Sequence, residues 1–327
     1  MQGPRTQTEL AALIQDEIAR LGPIPFSRFM ELALYTPGLG YYARARDPFG
    51  RAGDFFTASQ LQPVFGRLIG AAVDELFHQL GEPSDFTVVE LGSGRGEMAR
   101  AFEKYHYIPI EHDSNEFREL PPDLTGVVFS NEFFDALPVD VIAQSAMQDG
   151  ACEQRVDFAN GRFLFVDGPK PGPEIALYLA RFGVPESLEQ RVVEIHRDAV
   201  QWMRSIAETM KRGYVLTIDY GYLPAEAVRF PHGTLMSYRG HRASENILAG
   251  PGNQDITSHV PFGILRRAGE ESGLRIVSIE TLARFLASLG ERGHFPAAIE
   301  GGHTAQLKTL LFEMGEKFRV LLQEKTG

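Results

Sequence analysis

A run of ten residues from Val88 to Glu97, VVELGSGRGE, constrains the fold of this 327-residue chain more than any other segment. Its apolar start predicts a buried parallel strand. Its three alternating glycines predict a tight turn that leads into a helix starting near Glu97. A dinucleotide fingerprint of the form G-x-G-x-x-G would need a glycine where Glu97 stands. The turn therefore favours S-adenosylmethionine (SAM), which has no pyrophosphate, over NAD or FAD.

Composition limits the class of protein. The chain is 43% apolar and has a net charge of −11, nine histidines and one cysteine, Cys152. A lone cysteine excludes an internal disulfide, and the histidines lack ligand spacing, so we expect no metal. The negative charge argues against a nucleic-acid partner and fits a basic protein segment better. Since no membrane span or targeting pattern is found, we expect a cytoplasmic protein without membrane contact.

Six segments have the composition of strands, and helical patterns lie between most of them: 87–91, 107–111, 127–131, 214–219, 274–279 and 317–323. Strands that alternate with helices predict an α/β fold with a doubly wound, mostly parallel sheet. Ligands bind such sheets at the carboxyl ends of the strands. We therefore expect the ends of the first four segments to converge on one crevice.

The chain divides into four predicted stretches. The sheet is interrupted by an inserted substrate region and preceded by a helical extension with an aromatic loop. We assign the extension to 1–82, the first part of the SAM-binding core to 83–145, the inserted hairpin and linker to 146–186, and the second part of the core to 187–327. Within the last stretch, residues 221–258 are too long for an inert connection and predict a lid-like loop.

Local patterns predict further elements. Residues 8–21, 26–35 and 62–80 carry apolar side chains at helical spacing. Asn160 and Gly161 separate two alternating runs, which predicts a β-hairpin turn. We also predict one long helix over 187–212.

Glu111 ends the second predicted strand, 15 residues after Gly96. An acidic residue at this place can accept hydrogen bonds from both ribose hydroxyls of an adenosine. The alternative role, a carboxylate that caps the next helix, suits Asp113 better. Neighbouring strand ends supply further candidates for cofactor binding: Glu90, Gly92, Gly94, Gly96 and Asn131.

The run from Asn131 to Pro138, NEFFDALP, places carboxylates and aromatic rings just past a central strand. Glu132 and Asp135 could grip the planar cation of an arginine side chain and so orient its nucleophilic nitrogen. The alternative is that Asp135 caps a turn while Phe133 and Phe134 belong to the core. Asp54, in an aromatic loop, is a further candidate carboxylate, although a Gly-Asp pair often marks only a turn.

These motifs, taken in order, resemble the MidA-type family of SAM-dependent methyltransferases. Members occur in bacteria, and in mitochondria as complex I assembly factors. The string NEFFDALP is the most specific match, and the matches span nearly the whole chain. They are GDFFT (53–57), Phe65-Gly66, ELGSGRG (90–96), NEFFDALP (131–138), IDYG (218–221), Tyr238-Arg239 with His241, and Pro251-Gly252 with DITSH (255–259).

The resemblance implies a class I, Rossmann-like methyltransferase fold and methylation of protein arginine. By position, the three glycines of the 92–96 turn correspond to the SAM loop, with Thr57 as a further cofactor contact, and Glu111 to the ribose ligand. Asp54, Glu132 and Asp135 correspond to the catalytic neighbourhood. The alternatives are another acceptor, such as a protein glutamine or a small molecule, and a non-catalytic SAM-binding assembly factor. The oligomeric state is left open.

Two departures from the family pattern matter. Thr57 is followed by Ala-Ser-Gln where relatives carry T-S-P-E, so one carboxylate is lost. The span from Glu111 to Val127 is short. We therefore expect a sheet without a full third strand, a more open adenine side and weaker SAM binding.

Overall fold

The computed structural model describes residues 3–43, 58, 61–112, 120–145, 150–182, 192–240 and 242–327. The chain forms two compact units. The first unit gathers 1–56, 136–199 and 225–259, and the second unit gathers 57–135, 200–224 and 260–327. The four predicted stretches divide the chain at other residues. In particular, the strand at 140–144 pairs within the first unit, although 83–145 was predicted to belong to the core.

The helices predicted over 26–35 and 62–80 are confirmed within two residues at each end, and the helix predicted over 8–21 begins five residues earlier, at Gly3. The described α-helices are α1 (Gly3–Leu21), α2 (Phe26–Tyr35), α3 (Val64–Gln79), α4 (Pro173–Phe182), α5 (Arg197–Thr209), α6 (Phe262–Glu271), α7 (Leu282–Glu291), α8 (Phe295–Ala298) and α9 (Thr304–Lys308). No helix in the described ranges combines the length and the apolar character that crossing a membrane requires.

The strands fall into three sheets, two in the first unit and one in the second. They are β1 (Ile24–Pro25), β2 (Thr87–Leu91), β3 (His106–Ile110), β4 (Leu124–Asn131), β5 (Asp140–Gln144), β6 (Ala151–Ala159), β7 (Arg162–Asp167), β8 (Val192–Ile195), β9 (Met210–Tyr222), β10 (Met236–Arg239), β11 (Arg242–Ser244), β12 (Asp255–Thr257), β13 (Val260–Pro261), β14 (Arg275–Thr281) and β15 (Phe318–Lys325).

The sheet of the second unit confirms the predicted fold class. Its strand order is β14-β15-β9-β4-β2-β3, with β13 paired to β9. The parallel strands are β3, β2, β4, β9 and β13. On the side of the sheet away from β3, β15 pairs antiparallel with β9, and β14 pairs antiparallel with β15. Every residue of β2 and β4 is buried, as parallel strands covered on both faces must be. Within the described residues, β3 is the last strand on its side. Residues 113–119, where part of the shortened third strand was expected, lie outside the described residues.

Apolar side chains of α3 and α7 pack with the sheet to form the core of the second unit. Phe65, Phe102, Phe129 and Phe318 are each fully buried in this cluster. Burial of a phenylalanine side chain stabilises a fold by about 2 kcal/mol. This cluster therefore stabilises the sheet at whose edge the strand ends meet.

The first unit contains two antiparallel sheets. One has the order β1-β6-β5-β8, with β7 paired to β6, and the other has the order β11-β10-β12. The predicted hairpin is confirmed as β6 and β7. Its turn residues Asn160 and Gly161 have φ values of +53° and +77°, which suit a two-residue hairpin turn. The segment predicted as a lid-like loop, 221–258, contains the strands β10, β11 and β12.

Two local predictions were wrong. The helix predicted over 187–212 is preceded by β8, and α5 occupies only Arg197–Thr209. Three of the four residues of β8 are β-branched, which favours a strand, and they pair with β5. The helix expected after Gly96 is a short 3-10 helix over Ala99–Phe102. Its backbone makes i to i+3 bonds, such as Ala101 N–H to Met98 O at 2.8 Å.

Candidate active site

The parallel pairing of four strands brings their carboxyl ends to one edge of the second unit's sheet. Leu91 at the end of β2 is paired with Ile110 of β3 and with Ser130 of β4. Asn131 at the end of β4 is paired with Ile218 of β9. Most of the predicted site residues lie at or just after the ends of β2, β3 and β4, in the ranges 90–96, 111 and 131–135. The register therefore explains why motifs far apart in sequence meet here.

The glycine turn joins the end of β2 to the end of β3. Gly92, Gly94 and Gly96 have φ values of +68°, +56° and +75°, in the left-handed region that side chains disfavour. The Gly94 N–H donates to Glu111 Oε1 at 2.7 Å, and Ser93 Oγ donates to the same atom at 2.6 Å. The turn and the acidic residue after the next strand therefore form one hydrogen-bonded unit.

Gly92 is also required by the packing of another motif. A Cβ atom at this position would lie 2.9 Å from Phe133 Cδ2, which is too close for a carbon–carbon contact. Phe133 in turn packs edge-on against Phe134 and Trp202, at 5.2 and 5.3 Å between ring centroids. Both phenylalanines are buried, as the core interpretation predicts. The turn after β4 thus lies directly on the glycine turn.

Glu90 is buried under the glycine turn. Its side chain is only 4% exposed, and Tyr107 Oη donates to its Oε2 at 2.5 Å. Burial raises the pKa of Glu90 to about 8, and the negative charges of Glu111 and Glu97 act in the same direction, while the bond from Tyr107 lowers it. The carboxyl is therefore protonated at neutral pH, which lets it donate as well as accept a hydrogen bond. Tyr107 was not among the predicted residues, since only the β2–β3 register brings it to Glu90.

Glu132 adopts a backbone conformation that is rare for a side-chain-bearing residue, with a φ of +52°. Its Oε1 accepts from the Ala58 N–H at 2.9 Å and from Asn131 Nδ2 at 3.0 Å. Asn131 is buried, and its Oδ1 has no hydrogen-bond partner among the described residues. Strained conformations of this kind cost on the order of 1–3 kcal/mol and concentrate at functional sites.

Asp135 and Asp219 complete the edge. Asp135 is buried, and its N–H donates to Asp219 Oδ2 at 3.3 Å. Asp219 was expected near the crevice but was not predicted as a site residue. Asp54 and Thr57, predicted as catalytic and cofactor-binding, lie outside the described residues. The roles assigned to the site residues from the sequence stay predictions.

No group of three or more metal-ligating side chains was found in the described parts of the chain. The acidic groups at the strand ends are instead held by backbone N–H groups and by Ser93, Tyr107 and Asn131. The edge is therefore a set of polar groups held in place by hydrogen bonds.

A mostly parallel sheet, a glycine turn at the end of its central strand and an acidic residue after the next strand are typical of nucleotide-binding α/β folds, which include the SAM-dependent methyltransferases. A model of the family described as "Putative S-adenosyl-L-methionine-dependent methyltransferase" matches residues 100–279, more than half of the chain. The chain belongs to this family, which confirms the MidA-type resemblance.

Known relatives agree. The fold matches the crystal structure of a Burkholderia thailandensis protein bound to S-adenosyl-homocysteine, with a TM-score of 0.86, 30% identity and coverage of 99% of this chain and 95% of that one. The Drosophila melanogaster protein arginine methyltransferase NDUFAF7 homolog, mitochondrial, is 27% identical over 81% of this chain and 70% of its own length. The Homo sapiens protein arginine methyltransferase NDUFAF7, mitochondrial, is 24% identical over 78% and 67%. The chain is an enzyme with SAM as its cofactor.

The described residues fit this cofactor. The orphaned acceptor Asn131 Oδ1 is the kind of buried atom that a ligand donor satisfies. Glu111 and the protonated Glu90 stand beside the glycine turn and offer hydrogen-bonding groups for the ribose hydroxyls and other polar groups of SAM. When bound, SAM supplies a methyl group on a positively charged sulfur. The protein's part is to hold that cofactor and to orient an acceptor.

Proposed function

We propose that the methyl acceptor is an arginine side chain in a basic segment of a protein partner. The observation that carries this proposal is Glu132, whose carboxylate accepts hydrogen bonds from Ala58 and Asn131 on a strained turn beside the cofactor-binding edge. A fixed carboxylate can bind a guanidinium by charge-assisted hydrogen bonds and direct one nitrogen of the cation toward the methyl group.

The relatives support the same acceptor. Both the fly and the human protein are named protein arginine methyltransferases, and each aligns with more than three quarters of this chain. The chain's net charge of −11 also favours a basic partner, because long-range attraction raises the rate of encounter. The predicted cytoplasmic location and the predicted absence of nucleic-acid and membrane partners stay predictions.

The test compares acceptors of the same length and charge. Purified protein is incubated with labelled SAM and either an arginine-containing basic peptide library or the same library with lysine at each arginine. We expect label only with arginine, and tandem mass spectrometry should place each added methyl group on a guanidinium. A parallel incubation uses a cell extract instead of the peptides. Label found on glutamine, or only on small molecules of the extract, would show that the acceptor is that group and not arginine.

The second test addresses Glu132 directly. Glu132→Gln keeps the size of the side chain and removes its charge, so we expect kcat to fall at least about 100-fold while the Kd for SAM stays within about threefold. Glu103→Gln makes the same charge change at an exposed position and serves as the matched control. Full turnover by the Glu132 variant would remove the proposed role.

A further inference from the structure

Four consecutive backbone N–H groups of the turn after β4 are all accepted by two consecutive residues of β9. The Glu132 N–H donates to Ile218 O at 3.0 Å. The next three N–H groups, of Phe133, Phe134 and Asp135, donate to Asp219 Oδ2 at 3.2, 2.9 and 3.3 Å. One buried oxygen atom therefore collects three donors in a row. Buried backbone donors need partners, and here a single side chain supplies them.

Both carboxyl oxygens of Asp219 accept hydrogen bonds from the backbone. Its side chain is completely buried, and its Oδ1 accepts from the Tyr220 N–H at 2.8 Å. Burial raises the pKa of Asp219 to about 7, whereas the backbone N–H groups of Phe133, Phe134, Asp135 and Tyr220 lower it. Successive N–H groups that converge on one anion curve the backbone around it. The side chain thus sets the curvature of the turn.

The curvature of the turn determines the positions of the Glu132 carboxylate and the Phe133 ring. Glu132, directly before the three donors, has its φ of +52° in the same turn. Phe133 lies so close to Gly92 that a Cβ atom there would be 2.9 Å from its ring. A change in the turn would move the Glu132 carboxylate and also release the ring from the glycine turn.

We propose that Asp219 is a positioning residue for methyl transfer, which fixes the Glu132 carboxylate against the glycine turn by holding the N–H groups of residues 133–135. This inference rests on the proposed role of Glu132 in binding the acceptor. Asp219 itself does not touch the acceptor. It acts through the backbone of the turn. Its role therefore differs from that proposed for the Glu132 and Asp135 carboxylates, which is to bind the acceptor.

The variant that tests it is Asp219→Asn, which keeps the shape of the side chain. An asparagine oxygen can still accept from the turn, but its amide group then faces the Tyr220 N–H, so two donors oppose each other. Thr217→Val is the matched control. Thr217 lies two residues before Asp219 on the same face of β9 and is fully buried. The substitution removes a hydroxyl that has no hydrogen-bond partner in the described ranges.

The measurement separates turnover from cofactor binding. For Asp219→Asn we expect kcat at saturating SAM to fall about 10- to 100-fold, because a misplacement of about 1 Å has effects of that size. The Kd for SAM should stay within about threefold, and Thr217→Val should match the wild type within about twofold. A kcat within twofold of wild type overturns the proposal. The proposal is also overturned if kcat falls only in proportion to the fraction of protein that still binds SAM, because such a loss indicates unfolding.

Hydrogen exchange gives a readout that does not need turnover, and its wild-type part does not need a variant. In the wild type, the amides of residues 133–135 should exchange at least about 100-fold more slowly than unstructured peptide, and in Asp219→Asn at least about 10-fold faster than in wild type. Unprotected amides in the wild type would contradict the inference even if the variant did not fold. If the wild type methylates an acceptor other than arginine, the proposed function fails while the same kcat and exchange tests still decide the role of Asp219.

Discussion

Glu111 Oε1 lies 2.7 Å from the backbone nitrogen of Gly94 and accepts its hydrogen bond. The acidic residue thus holds the glycine turn and is also the predicted ribose ligand. Glu111→Ala should therefore weaken SAM binding about 30- to 100-fold, because it removes hydrogen bonds to a charged group worth about 2–3 kcal/mol. Calorimetric titration with SAM and S-adenosyl-homocysteine checks this.

Ser93→Ala is the matched control for Glu111, since it deletes only the 2.6 Å bond from the Ser93 hydroxyl to the same oxygen. We expect a loss of about two- to fivefold for this variant, and no binding of NADH by any form of the protein. A Kd for Glu111→Ala within twofold of wild type would show that this residue does not bind the ribose.

Gly94→Val should abolish detectable SAM binding. Gly94 has a φ of +56° and donates its N–H to Glu111, and a β-branched residue is a strong outlier at such a φ. The variant must leave this conformation and break the turn. Gly81→Val is the control, because Gly81 also has a positive φ, +77°, but lies in the turn after α3 with open space around a Cβ atom. It should lose stability and keep SAM affinity. Equal loss of affinity in both variants would mean that the Gly94 effect is only unfolding.

The elements that the sequence could predict are those whose evidence is local. The strand over Thr87–Leu91, the hairpin turn at Asn160 and the glycine turn each carry their own pattern. The contact of Asp219 with Phe134 joins residues 85 positions apart, and only the β4–β9 register specifies it. The strand Val192–Ile195 was missed for the same reason: a short apolar run fits a helix or a strand until its partner β5 is known.

Glu90→Gln should become more stable relative to the wild type as pH rises. The pKa of Glu90 is about 8 in the folded protein and about 4.3 in an unfolded chain. Between these values the folded state keeps a proton that the unfolded state releases. The stability linked to this carboxyl is thus fully present below about pH 4 and is lost as pH rises through 8. Glutamine does not titrate, so the wild type should lose about 2 kcal/mol relative to the variant between pH 5.5 and 7.5.

Thermal unfolding of wild type and Glu90→Gln at a series of pH values, without SAM, measures this difference. Glu103→Gln, at an exposed position, corrects for the change in net charge. A Tm difference between wild type and Glu90→Gln that stays constant from pH 5.5 to 7.5 would mean that Glu90 is ionised throughout.

His196, in the first unit, should make the protein sensitive to acid. It is 1% exposed, and neither ring nitrogen has a hydrogen-bond partner in the part of the chain that is described. Burial, with a smaller effect of His259, lowers the pKa of His196 to about 3, against about 6.5 when unfolded. Between pH 6.5 and 3 the His196 side chain is therefore protonated in the unfolded state and neutral in the folded state. The linked stability is full above pH 6.5 and falls as the pH drops toward 3.

His196→Leu removes this titration and the unpaired polar atoms together. At pH 7 we expect a stability within about 1 kcal/mol of the wild type or higher, because an unpaired buried polar group is itself costly. At pH 5 the variant should gain about 2 kcal/mol relative to the wild type. His232→Gln, which changes an exposed histidine of the same unit, serves as the matched control. Equal acid sensitivity of His196→Leu and wild type would mean that His196 takes up a proton in the folded state.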